Sequence, residues 1–127
     1  MYTVSVSRTV VAQHYLTVPA PGPEGDPHSH RFTIDATVRG PELNEYEYLV
    51  DIDDLTAAMD HLADFYRDRT LNDLPAFEGA NPSAERFARV FGDRLLERLE
   101  LEAQGVTKLR IEIEEDDVAR VAHERSL

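Results

Sequence analysis

Five histidines occur in the chain, and three have a spacing that can bind a metal. His28 and His30 stand two apart in EGDPHSHRF, just ahead of a stretch that alternates like a strand. On an extended chain residues i and i+2 point the same way, so both imidazoles can reach one point in space. Catalytic zinc takes three protein ligands, often three histidines, and leaves a fourth position for water or substrate. His14 is the natural third ligand. It lies at the end of the first alternating stretch, and an antiparallel hairpin with the second would return that end beside His28. Two loop histidines left in solvent have the same spacing, so from the residues alone both readings stand. His61, inside a helical stretch, and His123, near the C-terminus, lack a partner at ligand spacing and read as ordinary. No Ser-His-Asp order, phosphate-cradling glycine loop or basic aromatic patch is present, which leaves triad-hydrolase and P-loop chemistry without support.

The elements that must position these residues follow from periodicity. Tyr2, Val4 and Val6 alternate with Thr3, Ser5 and Ser7, which predicts a half-buried strand over 2–11. TVPAPGPEGDP holds four of the seven prolines and reads as a surface loop. In RFTIDATVR, Phe32, Ile34, Ala36 and Val38 share one face, which predicts a second strand antiparallel to the first. GPELNEYEY is a turn region, and YLVDI predicts a third strand running into a helix. Asp51 or Asp53 caps that helix, whose stripe is Leu55, Met59, Leu62 and Phe65 or Tyr66. A second helix is expected from Asn81 as cap, with Pro82 at the first helical position, to a stop at Gly105. Its buried face carries Phe87, Val90, Phe91, Leu95 and Leu99. KLRIEIEEDD predicts a fourth strand, with Leu109, Ile111 and Ile113 inward, and most of EIEEDD reads as a solvated face. The expected fold is α+β, a four-stranded antiparallel sheet with two helices on one face.

A chain of 127 residues with 42% hydrophobic content supports one core, so a single domain over 1–127 is expected. The formal charge of −12 would repel a phosphate backbone and an anionic membrane surface, which argues against nucleic acid and membrane as partners. No apolar run approaches the roughly 18 residues of a membrane helix. The opening MYTVSVSRTV has none of the sections of a signal peptide, and cysteine is absent, so a cytoplasmic location is expected. Lys108 is the only lysine among 13 basic residues. This acid-rich, lysine-poor balance resembles proteins of salt-loving archaea, although a GC-rich genome produces it too.

Six segments, in order, resemble the 6-pyruvoyl-tetrahydropterin synthase and 6-carboxytetrahydropterin synthase family over almost the whole chain. The family's Phe-Ser-Ala-x-His is matched by VVAQH, with Ala12 and His14 retained, and its His-Gly-His by His28, Ser29 and His30. Its Val-Asp-Phe-x-x-Leu is similar to Val50 to Leu55, and Leu-Asn-Asp-Leu-Pro stands unaltered at Leu71 to Pro75. Pro82, Ser83, Ala84 and Glu85 resemble its Pro-Thr-x-Glu, and Glu115 lines up with the glutamate that ends its last strand. The resemblance implies a tunnelling fold (T-fold), in which copies of the sheet join into a barrel, commonly a homohexamer of two trimers. It implies that His14, His28 and His30 hold Zn2+. It also implies that Glu115 grips the amino and ring N–H groups of a pterin bound between subunits, a charge-assisted bidentate contact. Glu114 would point to the other face.

Two departures bear on the reaction. The family's lyases carry a cysteine a few residues before the His pair; here Glu24 stands at that spacing and is the candidate base. The Asp-His that usually precedes the Leu-Asn-Asp motif is replaced by Arg67 and Asp68, so Asp68 is left to take over part of a proton relay. The resemblance implies a metal-dependent carbon–oxygen lyase acting on 7,8-dihydroneopterin triphosphate and feeding 6-carboxytetrahydropterin into queuosine-type deazapurine nucleoside synthesis. Glu24 favours an aldolase-like alternative that cleaves a dihydroneopterin to 6-hydroxymethyl-dihydropterin. Arg67 and Asp68 favour a paralogue that keeps metal and pterin but has lost turnover.

Overall fold

The structure, a computed structural model, describes residues 1–127. Strand β1 (Tyr2–His14) pairs antiparallel with β2 (His28–Gly40) along their full lengths, from Tyr2 opposite Gly40 to His14 opposite His28. The alternation is decisive here, because Val6, Val10, Phe32, Ile34, Ala36 and Val38 are all buried and a one-residue slip would turn every one of them to solvent. The opposite face is held by polar cross-strand pairs, with the Ser5 and Thr37 hydroxyls 2.6 Å apart and those of Thr9 and Thr33 3.1 Å apart.

Helices α1 (Ile52–Tyr66) and α2 (Ala84–Arg98) follow, and the chain then returns to the sheet as β3 (Lys108–Glu115) and β4 (Ala119–Ser126). The sheet order is β1-β2-β3-β4, antiparallel throughout, with α1 packed over β1 and α2 over β3 and β4. Asp51 caps α1 by accepting the N–H of Asp53 at 2.8 Å. Aromatic rings join α2 to the sheet and to α1: Phe32 and Phe87 lie 5.2 Å apart edge-on, Tyr66 and Phe87 5.0 Å. Such pairs are worth about 0.5–1.5 kcal/mol each beyond the area they bury.

Three expectations are corrected. YLVDI is not a strand: Leu49 and Val50 are buried, but their backbone stands outside the sheet in a turn organised by Asn44, whose Oδ1 accepts the N–H groups of Tyr46 and Tyr48. The fourth strand of the sheet is instead β4, in ARVAHERS. Its inward residues are Val121, His123 and Arg125, so the apolar alternation is lost. Arg125 compensates by lying against α2, donating to Asp93 Oδ1 at 2.5 Å and to the Arg89 carbonyl at 2.8 Å. The cap of α2 is Ser83 rather than Asn81, since the Ser83 hydroxyl accepts the N–H of Arg86, and Pro82 therefore precedes the cap instead of opening the helix. That helix ends at Arg98, with Leu99 its cap; Gly105, at φ +87°, closes a separate short turn over Glu102–Gln104.

Candidate metal centre and ligand cavity

The β1–β2 register sets His14 opposite His28 and Ala12 opposite His30, and the β2–β3 register sets Phe32 opposite Glu115. Directly paired residues share a face, so three imidazoles and one carboxylate gather at one end of the sheet, on its helix side. The imidazole centroids lie 4.6 to 5.0 Å apart, and one ring nitrogen of each lies within 4.8 Å of the other two. Phe32 forms the apolar floor, 5.7 Å from His30 and 6.1 Å from His14.

Each Nδ1 is already engaged. That of His14 lies 2.9 Å from the carbonyl oxygen of Pro82, that of His28 2.8 Å from the carbonyl oxygen of Asp26, and that of His30 faces the carboxylate of Asp116. Donation from Nδ1 fixes the tautomer and leaves Nε2 with its lone pair. The buried Nε2 of His28 has no hydrogen-bond partner, which is costly unless something accepts that lone pair. Burial, above all, pushes the His14 imidazole below its usual range, and the neighbouring rings push the same way against the Pro82 carbonyl. A neutral ring is the form that binds metal. Three ring nitrogens facing one point, an orphaned lone pair among them, fit a divalent cation such as zinc, with the fourth position open to ligand.

The strap from Tyr15 to Pro27 completes the site. Asn72 donates to the Tyr15 carbonyl at 2.9 Å and accepts its N–H at 3.0 Å, Asn81 accepts the Thr17 N–H at 2.9 Å, and the Leu16 N–H donates to the Glu24 carbonyl at 2.8 Å. Glu24 thereby comes to line, with His14, His30, Glu85 and Glu115, a half-open cavity of about 220 Å³. Within it Glu115 Oε1 lies 3.3 Å from His30 Nε2. Glu114 points to the opposite face, where it pairs with Arg120. Asp68 is not in that cavity: it follows α1 in a left-handed conformation, φ 57°, and its N–H donates to the Val11 carbonyl at the edge of β1. Arg67, beside it, is ion-paired with Asp64.

Sequence reasoning overlooked Asp116, hidden in an acidic run, and the anchoring amides of Asn72 and Asn81. The Leu-Asn-Asp-Leu-Pro motif was visible, but nothing in it says that its asparagine reaches across to the residue after His14.

The family model described as 6-pyruvoyl tetrahydropterin synthase matches residues 3–126. No curated protein sequence matches the chain. Among solved structures, the Plasmodium falciparum 6-pyruvoyl tetrahydropterin synthase is similar with a TM-score of 0.82 at 13% identity, covering 99% of this chain and 98% of its own. The Caenorhabditis elegans 6-pyruvoyl tetrahydropterin synthase gives 0.82 at 19% identity, covering 98% and 96%. A Plasmodium vivax synthase with a catalytic glutamate replaced by alanine gives 0.82 at 12%, covering 99% and 98%. At these identities the structural likeness carries the fold, a T-fold, and the family model carries the kinship.

Proposed function

This chain belongs to the 6-pyruvoyl tetrahydropterin synthase family, and from that premise we propose that it is a zinc-dependent pterin enzyme acting on 7,8-dihydroneopterin triphosphate. The observation that carries the reading is one cavity lined jointly by His14 and His30 of the cluster, by Glu115 and by Glu24. Zinc on His14, His28 and His30 would supply Lewis acidity toward the hydroxyl and carbonyl oxygens of the pterin side chain. Glu115 is the recognition group: its two oxygens accept the adjacent amino and ring N–H donors of a pterin. Glu24 is the base that takes the side-chain proton in place of the absent cysteine. A catalytic glutamate has a parallel in the Plasmodium vivax synthase, in which one was replaced by alanine and by cysteine.

The reading includes a homo-oligomer, a hexamer by family resemblance. β4 lines the cavity through Ala119 and Val121 and also carries an unpaired strand edge, so a strand of a second copy laid along it would cover the cavity mouth. Asp68, on the far edge of the sheet beside β1, would then serve the cavity of the neighbouring copy as a proton relay.

A second reading, aldolase-like cleavage of unphosphorylated dihydroneopterin, is favoured by the cavity's charge: Glu24, Glu85 and Glu115 line it with no arginine or lysine, a poor surface for a triphosphate. Incubation of the zinc-loaded protein with each substrate, with products identified by mass, separates the readings. Glu24→Gln should lose at least about 100-fold in turnover with zinc content unchanged; full activity in that variant sinks the assignment of the base. Zinc and pterin binding without product from either substrate would leave a binding protein.

A further inference from the structure

The turn between β3 and β4 holds a carboxylate that no requirement of the turn explains. Asp116 and Asp117 both adopt left-handed backbone, φ 53° and 59°, which glycine and asparagine accept as readily as aspartate. The turn is already fixed to β2, because the Asp116 N–H donates to the Arg31 carbonyl at 2.9 Å. Two donors converge on the Asp116 side chain: the Arg31 backbone N–H reaches Oδ1 at 2.8 Å and His30 Nδ1 reaches Oδ2. The Arg31 guanidinium pairs with Asp117, and the imidazole is the one side chain hydrogen-bonded to the Asp116 carboxylate. Of the three clustered histidines only His30 rests on a carboxylate; His14 and His28 rest on main-chain carbonyls.

We propose that Asp116 is a positioning residue of the metal centre, holding His30 with Nδ1 protonated and Nε2 turned inward and making it the strongest donor of the three ligands. The inference rests on the metal reading above. A carboxylate on the remote nitrogen of a ligating histidine orients the ring and raises its basicity, and losing such a partner costs about 10- to 100-fold in metal affinity. It also explains why the residue is aspartate. Asparagine would suit the left-handed turn and could keep the Arg31 contact, but it has one side-chain oxygen and would turn its NH2 toward the His30 N–H.

Asp116→Asn is therefore the test, with Asp117→Asn as its neighbour control, since Asp117 touches Arg31 and not His30. Zinc affinity is read by competition with a chromophoric chelator, ligand geometry by the visible bands of the cobalt-substituted protein, and folding by the urea midpoint of the metal-free protein. Asp116→Asn is expected to weaken zinc by about 10- to 100-fold and shift the cobalt bands while the metal-free protein still folds cooperatively, its urea midpoint lowered by only about 0.5 M for the one lost hydrogen bond, with Asp117→Asn like wild type. An Asp116→Asn protein with wild-type affinity and spectrum overturns the inference, as does an equal loss in Asp117→Asn. A wild-type protein that takes up no zinc overturns the metal reading itself, and this inference with it.

Discussion

Asn72→Ala tests whether the strap is built from the Leu-Asn-Asp-Leu-Pro motif. The Asn72 amide makes two hydrogen bonds to one residue, accepting the Tyr15 N–H at 3.0 Å and donating to the Tyr15 carbonyl at 2.9 Å, and both contacts are half-buried. Each such bond contributes about 1 kcal/mol net, and a main-chain group left unpaired out of reach of water costs more. Because water can enter this partly open strap, we expect a loss of about 2 kcal/mol, the sum of the two bonds with little added for desolvation. With a urea m-value of about 2 kcal/mol/M for a domain of this size, the midpoint falls by about 1 M at unchanged m. Asn72→Asp is the informative companion: it keeps an acceptor for the Tyr15 N–H but sets a negative charge against the Tyr15 carbonyl, so it should lose at least as much as alanine. A midpoint shift below about 0.3 M in the alanine variant, under a third of the expected change, would mean that water replaces the amide at no cost and that the motif does not build the strap.

His28→Ala should remove bound zinc by elemental analysis while barely changing the stability of the metal-free protein, because it also removes the orphaned Nε2. Glu115→Gln should keep zinc and weaken pterin binding by about 2 kcal/mol, near 30-fold, since hydrogen bonds to a charged acceptor contribute about 1.5–3 kcal/mol; unchanged affinity in a fluorescence titration refutes the recognition role. Burial raises the Tyr66 phenol to about 12. The folded state therefore keeps its proton where the unfolded chain, with a pKa near 10, has lost it, and stability drains away as pH rises from about 10 to 12. Wild type should lose about 2 kcal/mol more than Tyr66→Phe across that range, and urea midpoints that run parallel in the two proteins refute it.

The elements legible in the sequence are those whose burial is periodic. β2 buries every second residue from Phe32 to Gly40, β1 buries Val6, Val10, Ala12 and His14 on the same period, and α1 buries Leu55, Met59, Leu62 and Tyr66, so period and structure agree. The YLVDI segment failed for a physical reason: Leu49 and Val50 are as buried as strand residues, but they plug the core from a turn, and Gly40 packs so closely on Leu49 that a Cβ there would lie 2.6 Å from Leu49 Cδ1. β4 failed in the opposite direction. It is an edge strand on whose inward face only Val121 is a large apolar residue, beside Ala119, His123 and Arg125, and an inward-pointing charge such as Arg125 both hides a strand from pattern reading and guards its edge against stray pairing.

The site divides the same way. His14, His28, His30 and Glu115 are brought together by strand register alone, and register is what alternation encodes: one slipped residue would present Glu114 in place of Glu115 and Ser29 in place of a histidine. Asp116, Asn72, Asn81 and the Pro82 carbonyl act through one or two hydrogen bonds each across turns, which leave no periodic mark and follow only from where the turns fall. Glu24 stands between the two classes. Its spacing to His28 was legible, but its place beside the cluster depends on the Leu16 N–H closing the strap onto its own carbonyl. Sequence alone therefore reads the histidine cluster better than the position of Glu24. The same physics says which positions tolerate change: each clustered histidine is fixed by a whole hairpin, whereas Glu24 is fixed by one strap that Asn72 and Asn81 hold in place.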